Sequence, residues 1–104
     1  MPMSAVRRFL RHGMLPQLAV FEAVARLGSF TRAAEELHLA QPTVSTQIKK
    51  LSDTLGLPLF EQIGKKVHLT PAGAALQAGC RELFSAFGRI EESLASLRGL
   101  EGGR

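Results

Sequence analysis

The chain has 104 residues, which is the length of one domain, and its 45% hydrophobic content is sufficient for one modest core. The single cysteine excludes an internal disulfide and indicates a reducing, cytoplasmic compartment, and no apolar run is long enough for a membrane partner. The absence of Trp and Tyr argues against base stacking on single strands, whereas a net charge of +4 in local basic spots suits specific nucleic-acid contact and also many ordinary domains.

An N-terminal extension precedes the first predicted helix. Residues 1–14 carry three arginines and no acid, without the long apolar region of a secretory signal, and residues 1–13 are expected to be loosely ordered. A start of translation at Met14 is an open alternative. The first helix is predicted from near Pro16 to a natural stop at Gly28.

Two further helices follow with only a short turn between them. The second is predicted to run to about His38, with Ser29 and Thr31 as competing N-cap residues. Pro42 opens the third helix and Gly56 ends it. The apolar side chains of the third helix form one stripe at helical spacing, which predicts burial of that side: Val44, Ile48, Leu51 and Leu55.

The remaining chain changes its hydrophobic period twice. Residues 59–70 contain two short extended pieces, which predict a small β-hairpin with Lys65 and Lys66 at or near its tip. Thr70 as N-cap and Pro71 in the first turn then predict the start of a long final helix.

The apolar residues of the final helix are spaced alternately four and three residues apart, as in a heptad seam. Such a helix is about 40 Å long at 1.5 Å per residue, which is more than one small domain can cover. A second copy of the chain is therefore the expected partner, and packing against its own domain is the alternative. The seam consists of Leu76, Cys80, Leu83, Phe87, Ile90, Leu94 and Leu97.

The side of the third helix opposite its apolar stripe predicts contact with double-stranded DNA. Gln41 can pair with adenine through its amide, and Ser45 and Thr46 can donate or accept hydrogen bonds at base edges. Lys49 and Lys50 suit phosphates, and the hairpin with its two lysines can lie along the adjacent backbone or minor groove as a wing. The alternative is that this side is only the solvated face of an amphipathic helix.

Several motifs, in this order and spacing, resemble the N-terminal domain of LysR-type transcriptional regulators over about residues 16–98. The stretch FEQIGKK is most similar to the branch that regulates genes of carbon-dioxide fixation. The motifs are Gly28-Ser29-Phe30-Thr31-Arg32-Ala33-Ala34, Leu37, Gln41-Pro42-Thr43-Val44-Ser45, Ile48, Leu51, Leu55-Gly56, Pro58-Leu59-Phe60 and Leu69-Thr70-Pro71-Ala72-Gly73.

The resemblance implies a mainly α fold: a winged helix-turn-helix over residues 15–70, a linker helix over 71–98 and a tail over 99–104. It also implies a homodimer through antiparallel linker helices, bound to an imperfect inverted repeat in promoter DNA. Members of the family normally continue into a C-terminal domain that senses a small-molecule effector and supports higher assembly, so this chain is expected to be a truncated form without an effector pocket.

Functional residues of the family carry over by motif. Base contacts carry over to Gln41, Pro42, Ser45 and Thr46. Backbone contacts carry over to Thr31, Arg32, Thr43 and the wing. The chain departs from the family at three places: Ala40 lacks a capping hydroxyl, Gln62 replaces a wing arginine, and Thr46 replaces an arginine that could read guanine.

Other classes of function have little support in the sequence. His38, His68 and Cys80 match no zinc spacing, and the adjacent acids of the helices point apart, so neither a metal, a cofactor nor an enzymatic activity is expected. A winged helix can also serve as a protein–protein docking module without DNA. The polar, small side chains on the third helix favour DNA over docking, because docking surfaces are richer in exposed aromatic and other large apolar residues.

Overall fold

The computed structural model describes residues 13–101, with side chains described as far as residue 99. The predicted mainly α architecture, three helices with a hairpin and a long final helix, is confirmed in this part of the chain. The described part measures 56 × 34 × 21 Å. Its elements are α1 (Met14–Leu27), α2 (Phe30–Leu37), α3 (Gln41–Leu55), β1 (Phe60–Ile63), β2 (Lys66–Leu69) and α4 (Pro71–Glu101).

The start of α1 differs from the expectation. Met14 is the first residue of α1 and is fully buried in the hydrophobic core, so it belongs to the folded domain and not to the extension. Burial of its apolar side chain is favourable, which explains why the helix starts two residues before Pro16 although no helix signal precedes Pro16 in the sequence. The expected loose order of residues 1–12 lies outside the described residues.

Short-range hydrogen bonds and left-handed residues set the bounds of α2 and α3. Ser29 is the N-cap of α2, because its hydroxyl accepts a hydrogen bond of 3.1 Å from the backbone N–H of Arg32. His38 ends α2 in the left-handed region at φ 57°, a conformation uncommon for a residue with a Cβ. Ala40 is the N-cap of α3 and makes no side-chain capping bond, as its missing hydroxyl predicts.

The core lies between α1, α2 and α3 and is extended by the base of the hairpin. Phe21 and Leu51 are fully buried at its centre. The ring of Phe60, at the start of β1, lies 5.2 Å from that of Phe21 and 5.8 Å from that of Phe30. Since aromatic pairs at such distances are stabilising beyond their buried area, Phe60 anchors the hairpin to α1 and α2.

The hairpin is antiparallel and closes through Gly64 and Lys65, with Ile63 paired to Lys66. Gly64 has φ 64°, and Lys65 is not among the residues with positive φ, which is the pattern of signs in a type II′ turn. Phe60 and Leu69, which are paired across the two strands, pack against the core, whereas Gln62, farther along β1, is exposed. The prediction of a hairpin with lysines at its tip is therefore confirmed.

The first turn of α4 is fastened to the chain segment before the hairpin. The hydroxyl of Thr70 donates a 2.7 Å hydrogen bond to the carbonyl of Pro58 and accepts one of 3.0 Å from the N–H of Gly73. The Thr70 N–H donates to the carbonyl of Leu59 at 3.1 Å. A Cβ on Gly73 would lie 2.1 Å from that same carbonyl oxygen, so only glycine permits this approach.

The heptad seam of α4 is divided, which corrects the expectation that all seven residues face a partner. Cys80 lies in the chain's own core, 2% exposed, and Leu76 and Leu83 pack against that core. Only the first half of α4 crosses the body of the domain, so only this half is covered by it. The other four seam residues are 42% to 54% exposed: Phe87, Ile90, Leu94 and Leu97.

Candidate nucleic-acid interface

The predicted base-contact residues lie together at the N-terminal end of α3. Burial of Val44, Ile48 and Leu51 fixes the rotation of the helix and turns its opposite side outward. Three of the four predicted residues are exposed and Ser45 is half-buried. The set, which is here called the reading face, consists of Gln41, Pro42, Ser45 and Thr46.

Two residues of the reading face are joined to each other. The amide nitrogen of Gln41 donates a hydrogen bond of 3.1 Å to the hydroxyl of Ser45, one helical turn farther along. Residues one turn apart lie side by side on a helix surface, which allows the bond. The amide of Gln41 is therefore held against the helix.

The two lysines of α3 differ in their surroundings. The ammonium of Lys49 lies 3.8 Å from the carboxylate of Asp53, and both side chains are largely exposed. An exposed pair of this kind is weak, about 0.3–0.5 kcal/mol, so a phosphate can replace Asp53 at little cost. Lys50 is exposed and, within the described residues, takes part in no ion pair.

A groove connects α3 with the hairpin. Its volume is about 800 Å³, and its walls include Gln41, Ser45 and Lys49 from α3, Phe30 from α2 and Gln62 from β1. The groove brings two of the four residues of the reading face, Gln41 and Ser45, and the start of the wing onto one continuous surface. Gln62 is uncharged and occupies the wing position at which members of the family often have an arginine.

The remaining predicted backbone contacts are also exposed. Thr31 and Arg32 are in the first turn of α2, and Thr43 is in the first turn of α3. Lys65 lies in the hairpin loop and Lys66 begins β2, and neither has a carboxylate partner among residues 13–99. Lys50 and the two lysines of the wing tip are therefore cations without an ion pair among residues 13–99.

An ion-pair cluster between α1 and α2 was missed in the sequence. Both terminal nitrogens of Arg26 contact the Glu36 carboxylate, and its Nε donates to Glu22 at 3.0 Å. Hydrogen bonds to Glu36 and then Glu22 raise the pKa of Arg26, and the bond from Arg26 lowers the pKa of Glu36. The one-turn spacing of Glu22 and Arg26 was a usable signal, whereas Glu36 is brought close only by the packing of α2 on α1.

The described residues contain neither a cluster of metal ligands nor a membrane-spanning helix. No group of three or more His, Cys, Asp and Glu side chains within residues 13–99 is placed to hold a metal ion. In the same part of the chain, no helix has both the length and the apolar character required to cross a membrane.

Comparison with known proteins gives a family and several relatives. Residues 15–74 match the model of the bacterial regulatory helix-turn-helix proteins of the lysR family. The chain is 49% identical over 94 residues to the RuBisCO operon transcriptional regulator of Acidithiobacillus ferrooxidans, covering 90% of this chain and 30% of that protein. It is 48% identical over 94 residues to the transcriptional activator CmpR of Synechocystis sp., covering 90% and 31%. The chain therefore spans about a third of the length of these relatives.

Two solved structures of DNA-binding domains are similar to the chain in both sequence and fold. A complex of the BenM DNA-binding domain with catB site 1 DNA superposes with a TM-score of 0.76 at 34% identity, covering 80% of this chain and 92% of that one. A complex of the CbnR DNA-binding domain with DNA gives a TM-score of 0.71 at 33% identity, covering 79% and 94%. Both are structures of isolated DNA-binding domains bound to DNA.

Proposed function

The chain belongs to the LysR family of bacterial helix-turn-helix regulatory proteins, and from this premise we propose that it binds double-stranded DNA in a sequence-specific manner. The resemblance seen in the sequence is thereby confirmed at the level of the family. The observation that carries the proposal is the reading face, which α3 holds outward at its N-terminal end. A helix presented in this way fits the major groove, where each base pair offers a distinct pattern of donors and acceptors.

The proposed contacts divide into two groups by chemistry. The reading face supplies short hydroxyls, an amide and a proline ring to base edges, where hydrogen bonds and apolar contacts carry sequence information. Cations and hydroxyls around it supply contacts to phosphates, which position the domain and respond to salt. The second group consists of Thr31, Arg32, Thr43, Lys49, Lys50, Lys65 and Lys66.

Two copies of the chain are proposed to act together on an imperfect inverted repeat. Support comes from the four exposed apolar residues on the outer half of α4, which form a stripe that one chain leaves uncovered. Pairing of two such stripes buries them and places two reading faces in a fixed relation, as a two-fold symmetric site requires.

The relatives support a proposal for the biological setting. The chain spans about a third of their length, so we propose that an effector-sensing domain completes the regulator in its full-length form. Relatives at 49% and 52% identity are named RuBisCO operon regulators, which supports control of carbon-dioxide fixation genes. The proposed site of action is the bacterial cytoplasm, where the DNA is.

The protein–protein docking alternative has no comparable support. None of the large hydrophobic side chains exposed in the described residues lies between Gln41 and Leu55. Docking surfaces depend on such side chains as anchors, so the outward side of α3 lacks the residues that a docking module needs.

Selection of bound sequences from a random duplex pool tests the proposal. The chain is expected to enrich one half-site, and Gln41→Ala or Thr46→Ala is expected to cost about 1–3 kcal/mol on the enriched duplex and little on random DNA. Lys50→Ala or Lys66→Ala is expected to weaken binding to every duplex and to lower the salt slope by about 1. Equal losses on enriched and random DNA for all four variants would contradict the assignment of these roles.

A further inference from the structure

The hydrogen bond within the reading face has a consequence for base recognition, which rests on the proposed function. We infer that Ser45 is a positioning residue that orients the amide of Gln41, so that the amide offers one donor and one acceptor to an adenine. The base preference of Gln41 is thereby set by the protein before DNA arrives.

The first step is an account of the hydrogens on Gln41. An amide group has two N–H donors on nitrogen and one carbonyl acceptor. One N–H is used in the 3.1 Å bond to the hydroxyl of Ser45. The groups left for a base edge are one N–H and the carbonyl oxygen, and adenine presents the matching acceptor N7 and donor N6–H₂ in the major groove.

The second step concerns the opposite orientation of the amide. If the carbonyl accepted a bond from Ser45 instead, both N–H groups would point outward, and two donors match the N7 and O6 acceptors of guanine. In the structure the nitrogen faces Ser45, with the hydroxyl oxygen as acceptor. The direction of this single bond therefore decides between adenine and guanine.

The third step concerns the position of Ser45. Side chains on a helix lean toward its N-terminus, so the Ser45 hydroxyl leans toward Gln41. Ser45 is half-buried, whereas Gln41 is exposed at the start of the helix. Holding a long, flexible side chain in advance reduces the entropy lost on binding, which is the contribution expected of a positioning residue.

The test uses the whole chain and the duplex enriched from the random pool. Affinity is measured by fluorescence anisotropy for wild type, Gln41→Ala, Ser45→Ala, the double variant and Ser45→Thr. Each protein is titrated with the enriched duplex and with the same duplex carrying 7-deazaadenine, which lacks the N7 acceptor. Thr54→Ala, which removes an exposed hydroxyl from the same helix outside both the reading face and the groove, is the matched control.

Wild type is expected to prefer adenine over 7-deazaadenine by about tenfold, the lower part of the range for a paired base contact. Ser45→Ala is expected to reduce that preference, and in the Gln41→Ala background it is expected to reduce the preference no further. Ser45→Thr, which keeps the hydroxyl, is expected to retain the preference of wild type. Thr54→Ala is expected to bind as wild type does.

Three results would overturn the role of Ser45. They are independent losses in the double variant, enrichment of guanine in place of adenine, and failure of Ser45→Thr to retain the preference. Failure of the proposed function itself looks different, because wild type would then enrich no sequence, and the inference would fall with it.

Discussion

Cys80 illustrates how burial changes the chemistry of one side chain. It lies on the first half of α4, is 2% exposed and packs in the core. Burial, and then the negative charge of Glu22, raise the pKa of the thiol to about 11. Since the thiolate is the reactive form of cysteine, Cys80 is expected to be inert in the folded protein.

Thiol labelling and pH-dependent unfolding check this expectation. A disulfide reagent at pH 8 is expected to modify Cys80 at least about tenfold faster in denaturant than in the native chain. Because the folded pKa is raised, the buried thiol contributes stability that is lost as the pH rises from the unfolded value toward 11. Cys80→Ala is therefore expected to show a shallower fall in unfolding free energy over this range. Equal labelling rates in both states would contradict the burial.

At the scale of residues, the sequence predicted which side of α3 is exposed but not how the exposed side chains meet. The spacing of Val44, Ile48 and Leu51 was enough to fix the rotation of the helix. The bond between Gln41 and Ser45 depends on rotamers, and a one-turn spacing permits such a bond without requiring it. Conformations of this kind become visible only when the neighbours are in place.

At the scale of elements, the close approach of α4 to the segment before the hairpin depends on one glycine. A Cβ on Gly73 would lie 2.1 Å from the Leu59 carbonyl oxygen, whereas a Cβ on Gly79 meets nothing within 4 Å. Gly73→Ala is expected to cost at least about 2 kcal/mol, because backbone must shift to remove the overlap. Gly79→Ala is expected to stabilise the chain by up to about 1 kcal/mol through helix propensity.

Denaturant titration of the two glycine variants measures both effects. The variants add the same methyl group to the same helix, so a difference in sign isolates the close contact from the general gain of alanine over glycine. If Gly73→Ala were as stable as Gly79→Ala, α4 would not approach the Leu59 carbonyl as closely as described.

Element ends were predictable where the chemistry is local. Gly28 and Gly56 stop helices because a left-handed cap suits glycine, and both adopt positive φ. His38 ends α2 in the same conformation without such a signal. There the tight turn into α3 imposes the left-handed conformation, and the packing of α2 and α3 on α1 compensates for its strain. Such packing cannot be read from the local sequence.

At the scale of the whole molecule, α4 has two roles along its length. A heptad pattern predicts that one side of a helix is covered, but it carries no information about which body covers each turn. For this reason the heptad pattern did not distinguish Cys80 from Leu94, although Cys80 is in the chain's own core and Leu94 is 52% exposed.

The outer half of the seam gives the sharper test of pairing. Leu94→Asp is expected to shift the chain to monomers in sedimentation analysis without a loss of its fold, because an unpaired charge would be buried between two copies. Ser96→Asp, on the other side of the helix, is the control and should leave the association unchanged. Leu83→Asp is unsuitable, since Leu83 packs against the core and its loss would unfold the chain.

Retention of the dimer by Leu94→Asp, at the concentration where wild type is a dimer, would mean that another surface joins the copies. Circular dichroism on the same samples separates loss of pairing from loss of fold, because a folded monomer keeps the helix signal.

The two halves of the seam are expected to depend differently on the concentration of the protein. The core of residues from α1 to the first half of α4 is completed within one chain, so its formation needs no encounter. In the proposed dimer, the outer turns are covered only by a second copy, and dilution removes this cover. A duplex with two half-sites would raise the local concentration of the two copies. They would then pair on the duplex at protein concentrations too low for pairing in solution.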